Sequence, residues 1–232
     1  MTIQVLEDET AAARAAAELI AADARKAVAA RRRFIFAVSG GRTPWVMLRA
    51  LADMDIPWDR VHVAQVDERV APAGDPDRNL THLRDSLLAH APISPEQIHA
   101  MPVNASDLEK GASDYARTLC AIAGSPAVLD LCHLGLGPDG HTASLVPGDS
   151  VLEVEDADVA VTGFYQGRRR MTLTYPMLNR ARRVLWLVTG SEKAVPLVRL
   201  RDGDRAIPAG RVNPLHAVVL ADTKAAGVAS AT

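Results

Sequence analysis

The chain has 232 residues, 48% hydrophobic and 23% charged, with 15 glycines and 14 prolines, which suits one globular domain and excludes collagen-like, disordered and coiled-coil classes. Lys plus Arg number 26 against 28 Asp plus Glu, a net charge of −2, so no overall basic field draws nucleic acid or an anionic membrane and any anion site must be local. Aromatic residues are only 4%, so the core is expected to be aliphatic, with alanine-rich helices packing closely.

The opening MTIQVLEDET carries acids where a secretory leader would carry basic residues, and no apolar stretch follows it. The longest uncharged run, Thr118 to Leu129, falls far short of the roughly 20 residues of a spanning helix. A cytoplasmic protein without membrane contact is therefore expected. Cys120 and Cys132 are too few and too far apart for a disulfide framework or structural zinc, and both are read as buried small hydrophobes.

In chain order, Ile3–Leu6 reads as a first strand and Thr10–Ala30 as an Ala-rich helix, with Glu7, Asp8 and Glu9 suited to its positive end. Phe34–Val38 is a short continuous apolar run stopped by Gly40 and Gly41, as a strand buried on both faces reads. Val61–Val66 repeats that pattern before an acidic loop and a helix near Leu80–Leu88, and Val128–Leu136 does so before Gly-Pro-Asp-Gly. From Val159 to Thr174, β-prone runs broken by Gly163 and Gly167 suggest a small antiparallel excursion. Val184–Val188 then precedes a helix over Ser191–Leu200, Val218–Leu220 supplies a last strand, and the tail after Thr223 is expected to fray. This alternation predicts an α/β fold with a mostly parallel, doubly wound sheet and flanking helices, residues 1–232 forming one domain.

Ligands of open α/β sheets sit beyond the carboxyl ends of the strands, so the post-strand loops are where chemistry is sought. Ser39-Gly40-Gly41-Arg42-Thr43-Pro44 joins a strand to a helix beginning near Trp45. Its glycines let backbone N–H groups approach a ligand, and Pro44 suits a first helical turn. A phosphate fits there, although the Lys of a nucleotide-triphosphate loop is missing and a plain tight turn is the alternative. Thr189-Gly190-Ser191-Glu192-Lys193 is a second such junction, with Ser191 as an N-cap and Lys193 able to neutralise an anion. Arg168 and Arg170 share one strand face and Arg169 points away, so one of them can reach a phosphate unless the run is merely solvated.

Asp67-Glu68-Arg69 follows a buried strand directly, where a carboxylate is fixed in direction and suits proton transfer or a substrate hydroxyl. Arg69 braces these acids or stabilises charge developing on a substrate. Gly135-Leu136-Gly137-Pro138-Asp139-Gly140 matches G-x-G-x-x-G formally, but Pro138 and Asp139 occupy the pyrophosphate turn and His141 follows where a helix should pack. It reads better as a glycine-bent loop presenting Asp139 and His141 to a cavity, since imidazole titrates near neutrality and a carboxylate can orient it. No H-x-x-x-H or Cys/His cluster supports a metal there, and without G-x-S-x-G a serine nucleophile is disfavoured. The other histidines, at 62, 82, 90, 99, 133 and 216, are taken as structural or exposed.

These loops together resemble the 6-phosphogluconolactonases, which are related more distantly to glucosamine-6-phosphate isomerase/deaminases. Five blocks carry the resemblance in order: VSGGRTP (Val38–Pro44), DERVAP (Asp67–Pro72) with Asn79 following, LGLGPDGHTASLVPG (Leu134–Gly148), RMTLTYPMLN (Arg170–Asn179) and TGSEKA (Thr189–Ala194). The resemblance implies a Rossmann-like fold and hydrolysis of 6-phospho-D-glucono-1,5-lactone to 6-phosphogluconate in the oxidative pentose phosphate pathway, without metal or organic cofactor. It implies His141, Asp139, Asp67 and Arg69 as the catalytic set, and Ser39, Gly40, Gly41, Arg42, Thr43, Arg170 and Lys193 as substrate and phosphate ligands. Whether Asp139 or Asp67 holds the imidazole, and whether Arg69 or a loop N–H faces the oxyanion, stays open. The expected partner is a small sugar-phosphate lactone bound by a monomer. The deaminase pattern resembles DGHIAFNEP, with a Glu where this chain has Val146, so isomerisation lacks an acid. A deaminase-type enzyme and a non-catalytic sugar-phosphate sensor are the alternatives. Arg42 and Arg78 stand where Ser is usual and Val146 where Phe is common; Arg42 adds a phosphate contact or points to solvent.

Overall fold

A computed structural model describes residues 1–227. The chain runs β1 (Thr2–Leu6), α1 (Glu9–Arg31), β2 (Phe34–Val38), α2 (Arg42–Ala52), β3 (Val61–Gln65), β4 (Asp67–Arg69), α3 (Asn79–Leu83), β5 (Ile98–His99), α4 (Leu108–Ala123), β6 (Leu131–Leu134), β7 (Val159–Val161), β8 (Arg170–Leu173), α5 (Tyr175–Arg180), β9 (Val184–Val188), α6 (Ala194–Arg201) and β10 (Ala217–Asp222). Seven strands form one parallel sheet in the order β1-β10-β9-β6-β2-β3-β5. Every residue of β2, β6 and β9 is buried, as expected where helices cover both faces of a parallel sheet.

One face is closed by α1 and α2. The buried stripe of α1 is seven alanines and Ile20, small enough for close approach, and it joins Phe34, Phe36, Leu48 and Leu51 in a single cluster. Asp8 caps α1 by accepting from the Ala11 N–H at 2.8 Å, which satisfies one of the donors a helix start leaves unpaired. The opposite face packs on α4 through Ala112, Tyr115 and Leu119, together with Trp186 and Leu134.

The predicted α/β class, parallel sheet and antiparallel excursion are all present. Four details differ. The stretch after Val66 is not an acidic loop: Asp67–Arg69 is a strand that pairs antiparallel with β8, and β8 pairs with β7, making a second, three-stranded sheet. The sequence reading passed over α4, whose start is marked by Asp107 capping Lys110 N–H at 2.9 Å. Chain order also did not reveal that β10 inserts between β1 and β9. Fraying does not begin at Thr223, because its hydroxyl donates to the Glu7 carbonyl at 2.8 Å and Ala225 is buried; the rest of that expectation concerns residues 228–232, outside the described part. Cys132 is fully buried, whereas Cys120 is only partly so, and neither is in a disulfide.

His133, in the middle of β6, is wholly buried. Its Nδ1 accepts from the Ser39 N–H at 3.3 Å, and Nε2 has no partner. Burial alone lowers its pKa to about 4. The unfolded chain, with a histidine pKa of about 6.5, takes up this proton as pH falls from 6.5 towards 4 while the folded chain does not, so stability is lost across that window, by about 2 kcal/mol between pH 7 and 5. Burial lowers the pKa values of the contacting pair His62 and His99 as well, which acts in the same direction. Urea unfolding at pH 7 and pH 5 is expected to show this loss. His133→Asn keeps an acceptor near the Nδ1 position but takes up no proton, and should remove most of the His133 share; an undiminished loss in that variant would reject the assignment.

Candidate active site

The direction of strand addition reverses between β2 and β6, and the loops leaving them diverge there, as at the ligand crevices of doubly wound sheets. A cavity of about 450 Å³ opens at this point, within the usual range for small-molecule sites. Its walls come from Ser39–Pro44 after β2, Asp67 and Arg69 on β4, Gly135–Pro138 and His141 after β6, Arg170 on β8, and Thr189, Glu192 and Lys193 after β9.

His141 is placed by its glycines. Gly137 N–H donates to the His141 carbonyl at 2.8 Å and Gly140 N–H to the Gly137 carbonyl at 3.0 Å, so the loop folds back on itself, with Gly140 at φ +83°, where a side chain is disfavoured. The imidazole lies directly over Gly137: a Cβ there would sit 2.1 Å from Nδ1. Nδ1 is 2.6 Å from Asp139 Oδ1, which also accepts the His141 backbone N–H at 3.1 Å. Asp139 Oδ2 accepts from the Tyr165 hydroxyl at 3.1 Å. Partial burial works against the charged form of Asp139, but the backbone and imidazole of His141 and the Tyr165 hydroxyl outweigh it and hold the carboxyl below the usual range. With Nδ1 engaged, Nε2 is the ring nitrogen left for the cavity.

Asp67 is a different kind of acid. It is buried; Oδ2 accepts from Ser144 Oγ at 2.6 Å and Oδ1 from Asn79 Nδ2 at 3.3 Å. Its hydrogen bonds go to these groups and not to His141, so Asp139 is the carboxylate that holds the ring. Behind Asp67, fully buried Glu68 accepts the N–H groups of Arg69, Asn79 and Leu80, each at 2.8 Å, and lies 3.3 Å from Arg78 Nε. Arg78, buried in turn, is the counter-charge that the Glu68 carboxylate requires.

The cavity's positive charge is concentrated on the small sheet. Arg69 and Arg170 face each other directly across β4 and β8, an arrangement that costs stability between like charges. Burial and then Arg69 push the Arg170 pKa down, opposed by Asp67 and Tyr165. The Nε of each arginine is buried without a partner. Arg69 Nη1 donates to the Asp77 carbonyl and to Asn79 Oδ1, and Arg170 Nη2 to Gln166 Oε1. Among the described residues, the carboxylate paired with Lys193 is a distant one, Glu192 Oε1 at 3.8 Å. The Ser39 hydroxyl is buried and unpartnered, and the N-cap of α2 is Gly41, φ +136°, which makes no side-chain cap, leaving backbone donors free for an anion. Thr43 and Thr189 hydroxyls, 2.8 Å apart, tie the two loops together.

Of the residues expected as the catalytic set and as substrate or phosphate ligands, all line this cavity except Asp139, which stands behind His141. The guanidinium of Arg42 is 85% exposed and paired with Glu9, so of the two expectations for it the turn to solvent is the one seen. Arg168 pairs with Asp75 and Asp77, and Arg169 with Glu109. Ser191 does not cap: Gly190 is the N-cap, and its N–H goes to the buried Asp222. Sequence reading missed Tyr165, Ser144 and Asp222. Ser144 lies within the block Leu134–Gly148, where no role was read for it, and Tyr165 stands between Gly163 and Gly167, the glycines that marked the antiparallel excursion. Among the described residues no group of three or more His, Cys, Asp or Glu could hold a metal ion, and no helix is long and apolar enough to cross a membrane.

Fold and cavity together define a doubly wound α/β protein with a small-molecule cleft that joins an Asp-held imidazole to clustered cations. The family model described as glucosamine-6-phosphate isomerases/6-phosphogluconolactonase matches residues 7–221. A 6-phosphogluconolactonase of Synechocystis is 41% identical over 72% of this chain and 71% of its own length, and one of Mycobacterium leprae is 34% identical over 97% of both. The crystal structure of 6-phosphogluconolactonase from Thermotoga maritima, 28% identical, superposes with a TM-score of 0.84 over 95% of this chain and 98% of its own. A monomeric glucosamine-6-phosphate deaminase, 20% identical with a TM-score of 0.85, shares the fold. The chain belongs to the glucosamine-6-phosphate isomerase/6-phosphogluconolactonase family.

Because residue 137 must lack a side chain for the imidazole to lie where it does, Gly137→Ala is expected to displace the ring and break its bond to Asp139 while the fold survives. Nitrogen-correlated NMR of the His141 ring should show loss of the protected Nδ1–H; an unchanged ring signal would contradict the packing described.

Proposed function

We propose that this protein is a 6-phosphogluconolactonase, hydrolysing 6-phospho-D-glucono-1,5-lactone to 6-phosphogluconate. The observation that carries the proposal is the juxtaposition, in one cavity, of an imidazole whose Nδ1 is clamped by Asp139 with the cations Arg69, Arg170 and Lys193. The names of the similar proteins above support the same substrate.

In this reading the phosphate is held by Arg170, Lys193 and the Ser39–Thr43 loop, and Asp67 accepts a sugar hydroxyl. Hydrogen bonds to charged groups contribute roughly 1.5–3 kcal/mol each, enough for two or three to fix the sugar. His141 Nε2 takes a proton from a water whose oxygen bonds to the lactone carbonyl carbon. Negative charge collects on the carbonyl oxygen, facing Arg69 or a loop N–H. The intermediate collapses, the bond from that carbon to the ring oxygen breaks, and Nε2 returns the proton to the departing oxygen. Asp139 keeps its charge and stabilises the imidazolium between the two transfers. General acid–base catalysis supplies about 10²–10⁴-fold, and positioning and oxyanion stabilisation the remainder. The deaminase alternative is disfavoured because the residue five places after His141 is the buried, apolar Val146.

The test is decay of freshly generated 6-phosphogluconolactone, corrected for spontaneous hydrolysis; no acceleration, or ammonia release from glucosamine 6-phosphate, would overturn the proposal. His141→Ala should lower kcat by about 10²-fold or more with KM little changed. Arg170→Ala and Lys193→Ala should instead raise KM, by about tenfold each if a charged hydrogen bond is lost; unchanged KM in both would refute the phosphate assignment.

A further inference from the structure

The hairpin between β7 and β8 turns at Gln166-Gly167, with φ of +53° and +78°, the left-handed values at both central residues that mark the tight turns of twisted hairpins. Tyr165 and Arg168 flank the turn and exchange backbone hydrogen bonds at 3.0 and 3.3 Å, so Tyr165 is set by the turn and not by a flexible loop. Its side chain touches both halves of the site. The hydroxyl donates to Asp139 Oδ2 at 3.1 Å, the ring meets His141 edge-on at 5.6 Å, and the Arg170 guanidinium lies over the ring face, 4.9 Å from its centre. Gln166, held at a positive φ that costs a non-glycine residue energy, takes the other side of Arg170 at 3.1 Å. Phe164, by contrast, is 78% exposed, so no apolar packing of that neighbour fixes the hairpin tip.

We propose that Tyr165 is a positioning residue for the lactonase reaction, orienting the His141–Asp139 pair through its hydroxyl and Arg170 through its ring. This rests on the function proposed above. The hydroxyl proton beside Asp139 also opposes positive charge on the neighbouring imidazole, so removing it favours protonated His141. The ring face attracts the guanidinium by its quadrupole and holds it over the cavity against the repulsion of Arg69.

Two substitutions separate these contacts. Tyr165→Phe keeps the ring and loses only the hydroxyl. It should lower kcat three- to tenfold, leave KM within twofold and move the acid limb of the kcat/KM profile to higher pH. Tyr165→Ala should add a KM increase of about threefold or more. A Tyr165→Phe enzyme with wild-type kcat and an unmoved acid limb would overturn the hydroxyl's role, and a Tyr165→Ala enzyme with wild-type KM would overturn the ring's. A purely structural residue would lower activity without moving the limb. NMR titration of the His141 ring in wild type and Tyr165→Phe decides the hydroxyl's part without turnover: a higher imidazole pKa in the variant supports it and an equal one rejects it. If wild type does not accelerate lactone decay, the proposed function fails while the titration still tests the contact.

Discussion

Val66 is hydrogen-bonded in two sheets at once, and the rest of the cleft depends on that. Its N–H donates to the Val38 carbonyl of the parallel sheet and its carbonyl accepts from Leu173 N–H of the small sheet, at 3.0 and 2.8 Å. The chain therefore leaves one sheet and enters the other without a connecting loop. The next residues, Asp67 to Arg69, are carried over the carboxyl ends of β2 and β6 as a strand, with side-chain directions set by the pleat. A loop here would present the same residues with far less precision. Pairing with β8 then puts Arg170 opposite Arg69, so one backbone crossing determines where both guanidiniums sit.

Such an arrangement is costly by itself. Two cations face each other, a carboxylate is buried beside them, and a second buried carboxylate lies immediately behind. The structure offsets this by saturating the carboxylates and not the arginines. Glu68 has three backbone N–H groups, Gln65 and Arg78; Asp67 has Ser144 and Asn79. Buried ionic groups with full hydrogen-bond shells are tolerable, while half-satisfied ones are not. Of the buried side-chain atoms left without a hydrogen-bond partner among the described residues, the Nε atoms of Arg69 and Arg170 and the Ser39 hydroxyl belong to residues of this cavity, while Arg78 Nε, His133 Nε2 and Thr142 Oγ1 lie elsewhere. Three unmet donors around one cavity are what the anion-binding role proposed above calls for.

The sequence made the parallel sheet legible because a strand buried on both faces reads as an unbroken apolar run, and Phe34–Val38 and Val184–Val188 are such runs. The dyad was legible too, since Gly137, Asp139, Gly140 and His141 lie within five positions and local geometry decides their relation. Contacts between distant segments were not. Nothing in Asp67-Glu68-Arg69 distinguishes a post-strand loop from a three-residue strand, because the difference lies in its pairing with residues a hundred positions later. The roles of Tyr165 and Ser144 were unreadable for the same reason, their partners Asp139 and Asp67 being set by tertiary packing. For Arg42 the sequence left two directions open, because a basic residue in a glycine-rich loop suits an anion or solvent equally, and only the approach of Glu9, at the start of α1, decides for the second.

The two aspartates settle a question that residue type alone leaves open. Both follow buried strands and both border the cavity region, so either was a suitable partner for the imidazole. Their hydrogen bonds divide them. Asp67 is enclosed, with its oxygens engaged by Ser144 and Asn79, and is held in one orientation as a fixed acceptor. Asp139 is only partly covered, bound to the ring, to the backbone of its own loop and to Tyr165, so its charge is stabilised by the group it orients. In the mechanism proposed above, the carboxylate that holds the imidazole has to stay ionised through the cycle and point at one nitrogen. Asp139 meets both demands because the imidazole and its backbone amide belong to the same residue two positions on, and the glycine turn that brings them together leaves the ring one place to lie.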